Sequence, residues 1–246
     1  MTNSEIRTAH VQVTNGDLGI AAYLAEPVVA SPVPAIVVLQ EIFGANEHIR
    51  DVTERLAKLG YVTIAPALFQ RTAPGFEVGY TPEAMQMGRD RAQQTKAEEL
   101  LGDIQATIAY LHTLPSVKPG PVGCIGFCYG GHIAYLAATL PDIKATASFY
   151  GARIAASTFG PGAPTLTRTP DIQGTLYAFF GLDDSSIPVD QIDEIAEQLK
   201  RHDIPHRIFR YPGAGHGFFC DRRASYNPEV AADAWLQVQQ LFQETL

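Results

Sequence analysis

Gly126-Phe127-Cys128-Tyr129-Gly130 decides how this chain is read. The apolar run Val122-Gly123-Cys124-Ile125 precedes it, and an alanine-rich segment of helical type runs from Gly131 to Leu140 after it. G-x-C-x-G between a strand and a helix is a nucleophile elbow, with cysteine where serine usually stands. Such a turn strains its central residue and needs glycines wherever a Cβ would meet the crossing strand and helix. The helix N-terminus behind the sulfur offers free amides and partial positive charge, suited to a thiolate or a developing oxyanion. The plainer alternative is a glycine-rich turn around an inert buried cysteine. Cys124, inside the strand, fits that description better than Cys128.

The same alternation extends outward from the elbow. Ala35-Ile36-Val37-Val38-Leu39 is continuously apolar, as a strand buried on both faces must be. A helix follows, with Ile49, Val52, Leu56 and Leu59 on one face and Gly60 as its stop. Further strands are predicted near Tyr61 to Ala65, Ala145 to Phe149, Thr175 to Phe180 and His206 to Tyr211. Helices are predicted over Thr81 to about Leu114 with a break near Gly102, over Val189 to His202, and over Pro228 to about Glu244. Two alternating runs, Ile6 to Val13 and Ile20 to Ala25, flank Thr14-Asn15-Gly16-Asp17 and read as an antiparallel pair. The expectation is an α/β fold over residues 1–246 as one domain. A mostly parallel central sheet carries helices on both faces, and its ligand crevice lies at the C-terminal strand ends. Ala67 to Tyr80 and the Pro/Gly-rich Gly151 to Pro170 fall outside the pattern and are long enough to line that crevice.

Composition narrows the function classes. With 246 residues, 46% apolar and 18% charged, the chain has material for an enzyme-sized core and does not read as disordered. A formal net charge of -8 supplies no basic stripe for nucleic acid or an anionic membrane, and no stretch approaches the roughly 18 apolar residues of a membrane span. Met1 to Val13 lacks a secretory pattern, so a cytoplasmic location is expected, as a monomer or small homo-oligomer. Cys124, Cys128 and Cys220 are odd in number, which argues against a disulfide framework.

A thiol nucleophile needs a base, and the base needs a carboxylate to fix its tautomer. Asp183 and Asp184 follow the strand Thr175 to Phe180, and His216 follows the strand His206 to Tyr211 within Ala214-Gly215-His216-Gly217-Phe218. Nucleophile, acid and histidine therefore stand in the chain order of the α/β-hydrolases. His216 sits between two glycines with no apolar periodicity to make it a core residue. His132, just past the elbow, reads as packing, while His10, His48, His112, His202 and His206 read as surface positions. None has metal-ligand spacing to another histidine or cysteine, so neither metal nor organic cofactor is expected.

Gln40-Glu41-Ile42-Phe43-Gly44, Ala65-Pro66-Ala67-Leu68-Phe69, Gly126-Phe127-Cys128-Tyr129-Gly130-Gly131 and Ala214-Gly215-His216-Gly217-Phe218 together resemble the dienelactone hydrolase (carboxymethylenebutenolidase) family. The resemblance runs along nearly the whole chain. It implies an α/β-hydrolase fold, a Cys-His-Asp triad, and hydrolysis of an ester or lactone through a thioester acyl-enzyme. By position it makes Cys128 the nucleophile and His216 the base, and the family's acid, four residues before a proline, selects Asp184 through Pro188, with Asp183 as fallback. It also implies that Glu41 contacts the resting thiol until substrate binds, and that the Ile42 and Tyr129 N–H groups form the oxyanion hole.

The departures bear on substrate. Where dienelactone-specific members carry two arginines, this chain has Gln86 and Cys220; Arg89, Arg91, Arg222 and Arg223 are near in sequence and read first as solvated. Phe43, Phe69, Tyr129, Phe218 and Phe219 place aromatic groups near the expected site, with Phe43, Phe69 and Phe218 the candidates to hold an apolar small-molecule ester or lactone. Two other functions compete on these residues. A class I glutamine amidotransferase would need glutamate where Phe218 stands, and a non-catalytic thiol sensor would not need a matching acid and histidine at strand ends.

Overall fold

The computed structural model describes residues 5–246; the first four positions of the N-terminal run lie outside them. Strands β1 (Ile6–Asn15) and β2 (Leu18–Pro27) form the expected antiparallel pair, turning at Gly16 with φ 59°. Then follow β3 (Ala35–Leu39), α1 (Glu47–Lys58), β4 (Val62–Pro66), α2 (Pro82–Ala92), α3 (Ala97–Thr113), β5 (Val122–Phe127), α4 (Tyr129–Ala137) and β6 (Ile143–Phe149). A short 3-10 helix (Thr165–Asp171), β7 (Thr175–Gly181), α5 (Val189–Arg201), β8 (His206–Tyr211) and α6 (Pro228–Thr245) complete the order. All eight strands join one sheet in the order β1-β2-β4-β3-β5-β6-β7-β8. β2 pairs antiparallel with β4, and every pair from β4 through β8 is parallel.

The apolar runs behave as their patterns dictate. Every residue of β3, β4 and β5 is buried, because helices cover both faces of the central strands. Alternate β3 residues serve opposite faces: Ile36 and Val38 pack with Ile49, Val52 and Leu56 of α1, while Val37 and Leu39 pack with Ile104 and Ile108 of α3. The α1 helix begins at Asn46, whose side chain accepts from the Ile49 N–H, and ends as Gly60 turns away at φ 99°.

Two expectations are corrected. The predicted break near Gly102 is absent, since Gly102 lies inside α3 and the chain breaks instead at residues 93–96 between α2 and α3. There the Ala97 N–H donates to the Phe159 carbonyl, so a tertiary contact sets the boundary. His48 is not a surface residue. It stands one and two helical turns before Val52 and Leu56, on the buried face of α1, against the stacked rings of Phe127 and Phe219.

Candidate active site

The elbow is built by close approach of backbone. Cys128 has φ 55° and ψ −114°, a strained conformation for a residue with a side chain. A Cβ on Gly126 would lie 1.9 Å from the Gly130 carbonyl oxygen, and one on Gly130 would lie 2.4 Å from that of Leu39. The Cys128 N–H donates to Phe149, and its carbonyl accepts from His132, so both backbone groups are engaged while the thiol stays half-buried. Cys124 is sealed inside β5, where burial pushes its thiol far above the usual range.

Two loops bring an aspartate and a histidine together beside the elbow. The Asp183 N–H donates to the Ala214 carbonyl at 3.0 Å and the Gly213 N–H donates to Asp183 Oδ1 at 3.2 Å, pinning the loop after β8 onto the loop after β7. His216 Nδ1 then lies 2.6 Å from Oδ2 of the buried Asp184. Asp183 itself is exposed, so the two carboxylates left open by spacing differ sharply in setting. Ser186, which the motif reading missed, donates its N–H and hydroxyl to Asp184 Oδ1 at 2.8 and 2.5 Å, and its oxygen lies 3.2 Å from His216 Nδ1. It stands two residues after the acid, the usual spacing of an Asx turn.

The electrostatics follow from this packing. Burial alone disfavours the His216 cation, but the nearby Cys128 sulfur and the Asp184 bond outweigh it and raise the imidazole to about 10. Burial likewise opposes the Asp184 charge, yet the His216 and Ser186 bonds hold it below the ordinary aspartate range. Both values describe one coupled pair in which the imidazolium and carboxylate stabilise each other.

Glu41 and Ile42 follow β3 on the neighbouring strand. Glu41 is buried, and its partner in this structure is Arg223, whose Nη1 donates to Oε1 at 3.2 Å. Arg223 is thereby corrected from a solvated residue to a half-buried one, stacked over Phe43 and Tyr80 with its guanidinium 5.6 and 5.9 Å from the ring centres. The loop carrying it returns to the site because the Arg223 N–H donates to the Cys220 carbonyl, a turn that no spacing rule from His216 anticipates. Of the other sequence neighbours, Arg222 pairs with Glu47, Arg89 and Gln86 are exposed, and Gln86 donates to Asp90 on its own helix, whereas Arg91 is half-buried rather than solvated, its Nε without a partner among the described residues. The Ile42 and Tyr129 N–H groups have no intramolecular acceptor among the described residues, and Tyr129 opens α4.

The aromatic candidates form the wall behind these groups rather than exposed surface. Phe43 lies under Arg223, Phe69 packs on the Tyr129 ring at 5.2 Å, and Phe218 meets Tyr150, which edges the His216 ring. His132 packs as expected, 2.7 Å from the Thr165 hydroxyl. The fold also makes a grouping that sequence spacing did not, with Glu41, His48 and Cys220 presenting ligand-type atoms all within 4.8 Å of one another. Among the described residues no helix is long and apolar enough to cross a membrane.

Comparison with known proteins agrees with this architecture. The model of the "Dienelactone hydrolase family" matches residues 20–246. A Synechocystis sp. protein named "Putative carboxymethylenebutenolidase" is 60% identical over 242 residues, covering 98% of both chains. The crystal structure named "Putative Dienelactone Hydrolase" from Klebsiella pneumoniae is 30% identical, with a TM-score of 0.88 over 97% of this chain and 99% of that one. Dienelactone hydrolase from Anabaena variabilis, 18% identical, shares the fold with a TM-score of 0.69 over 98% of this chain and 99% of that one. A cysteine elbow, a histidine bonded to a buried aspartate, and a family match across all but the first 19 residues lead to one conclusion: the chain belongs to the dienelactone hydrolase family, carboxylic ester hydrolases of the α/β-hydrolase fold.

Proposed function

We propose that this protein hydrolyses an ester or lactone through a thioester on Cys128. One observation carries the reading: His216, bonded at 2.6 Å to a buried aspartate, is close enough to the elbow cysteine for the sulfur to raise its affinity for a proton. Cys128 attacks the carbonyl carbon as the thiolate, its proton already resting on His216 as imidazolium. The Ile42 and Tyr129 N–H groups receive the oxyanion. As the tetrahedral intermediate collapses, the carbon–oxygen bond to the leaving group breaks and the His216 imidazolium protonates the departing alkoxide. His216 next removes a proton from water, whose oxygen attacks the thioester carbonyl; the carbon–sulfur bond breaks, the acid product leaves, and Cys128 returns as thiolate beside the His216 imidazolium. Asp184 keeps Nδ1 of the imidazole protonated, and Ser186 holds Asp184 in line.

Neutral or aromatic esters are the proposed substrates, in preference to a carboxylate-bearing lactone. The Arg223 charge is already neutralised by Glu41 at rest, Arg222 pairs with Glu47, and Arg89 is exposed. An anionic substrate must first separate a buried ion pair, and leaving either member unpaired costs several kcal/mol, about 3 to 5. Steady-state kinetics on paired substrates that differ only by a carboxylate test this. The expected result is a higher kcat/KM for the neutral partner, with Cys128→Ala about a thousandfold or more below wild type and Cys124→Ala near it. A strong preference for the anionic partner that disappears in Arg223→Met would overturn the specificity reading while leaving the thioester reading intact.

A further inference from the structure

We propose that Glu41, His48 and Cys220 form a binding site for one borderline-soft divalent cation of the Zn²⁺ class, separate from the Cys128–His216 pair. The three come from the loop after β3, the first turn of α1, and the loop after β8. Their ligand-type atoms lie within 4.8 Å of one another. Tetrahedral coordination at about 2.0 to 2.3 Å asks for ligand separations of about 3.3 to 3.8 Å, within reach of small side-chain rotations.

The hydrogen bonding of these groups points the same way. Glu41 is 0% exposed and His48 1%, yet Glu41 Oε2 and both His48 ring nitrogens have no hydrogen-bond partner among the described residues. Buried polar atoms are nearly always paired, and an orphaned imidazole close to an orphaned carboxylate oxygen and a thiol is unusual. Burial also keeps His48 neutral, the form that ligates. Thiolate and imidazole donors select a borderline-soft cation over Mg²⁺ or Ca²⁺. A cleft of about 330 Å³ lined by His48, Asn46, Val78 and Tyr80 supplies the entry path.

Binding replaces the Cys220 S–H bond with a sulfur–metal bond and releases that proton to solvent. Arg223 keeps its bond to Oε1, so the ion uses Oε2, the lone pairs Arg223 leaves free. The site thus shares Glu41 with the active centre.

The test uses Cys128→Ala protein, which removes the triad thiol as a rival ligand. Zn²⁺ competition against a chromogenic chelator should give one ion per chain, weakened at least tenfold by adding Cys220→Ala or His48→Gln. Co²⁺ added to Cys128→Ala should show a thiolate-to-cobalt charge-transfer band, a readout that needs no second substitution and stands if the double variants fail to fold. Absence of that band, or Zn²⁺ affinity unchanged by loss of Cys220 in folded protein, would overturn the proposal.

Discussion

Asp183 and Asp184 are adjacent and chemically identical, and the fold separates them by exposure and by hydrogen-bond partner. Asp184 is 5% exposed and bonded to His216, whereas Asp183 is exposed and spends one oxygen on the Gly213 N–H. Asp184→Asn should lower kcat by about two orders of magnitude or more, because an amide no longer fixes the imidazole tautomer, while Asp183→Asn keeps most activity; steady-state turnover ranks them. His216 offers a second check. With the folded value raised to about 10 against 6.5 unfolded, its contribution to stability is complete below pH 6.5 and is lost as pH rises toward 10. NMR titration should find the imidazolium persisting above pH 7, with a lower midpoint in Cys128→Ala, where the largest influence raising it is gone. Thermal melts of His216→Gln should lack the corresponding decline between pH 6.5 and 10. The pairing of His216 with one of the two aspartates was legible from the sequence, because both stand after strands in the chain order of the fold. Arg223 and His48 were not, since a charged or imidazole side chain reads as solvated until the loop or helix face that buries it is known.

Elements were legible wherever the apolar pattern was long. The parallel strands and α1 fall within two residues of where the pattern puts them, because burial on both faces leaves a continuous apolar run in β3, β4 and β5 and burial of one face leaves a helical period in α1. The α2–α3 boundary failed for the opposite reason. Gly102 suggested a break, but a Cβ there would lie 3.6 Å from Asn15, so the glycine is an ordinary helical position, and the true break depends on a contact with Phe159. At the elbow glycine is obligatory. Gly130→Ala would drive a Cβ to 2.4 and 2.5 Å from the Leu39 and Gln40 carbonyl oxygens, displacing the segment that carries Glu41 and Ile42. Overpacking of this kind costs about 1 to 3 kcal/mol, or a few °C in a protein of this size. Differential scanning calorimetry should show that loss, accompanied by a larger proportional loss of turnover. Wild-type activity in Gly130→Ala would mean that the Ile42 N–H has no part in the reaction.

At the scale of the molecule, sheet order makes the site. Strands β3, β5 and β7 lie in one parallel sheet, so their C-terminal ends deliver Glu41, Cys128 and Asp184 to the same edge, and the loop after β8 folds back with His216. The segment after β6 closes over α4 through bonds from Thr165 to His132 and from Thr169 to Tyr135, which fixes one wall of the crevice. The proposed thioester requires that Cys128 become acylated during turnover. Mixing the protein with excess aryl acetate, quenching in acid within the first turnovers, and mapping peptides by mass spectrometry tests it directly. The predicted result is one acetyl group on the peptide containing Cys128, removed by hydroxylamine and absent from Cys128→Ala. Unlabelled Cys128 alongside sustained hydrolysis, or undiminished turnover by Cys128→Ala, would contradict it.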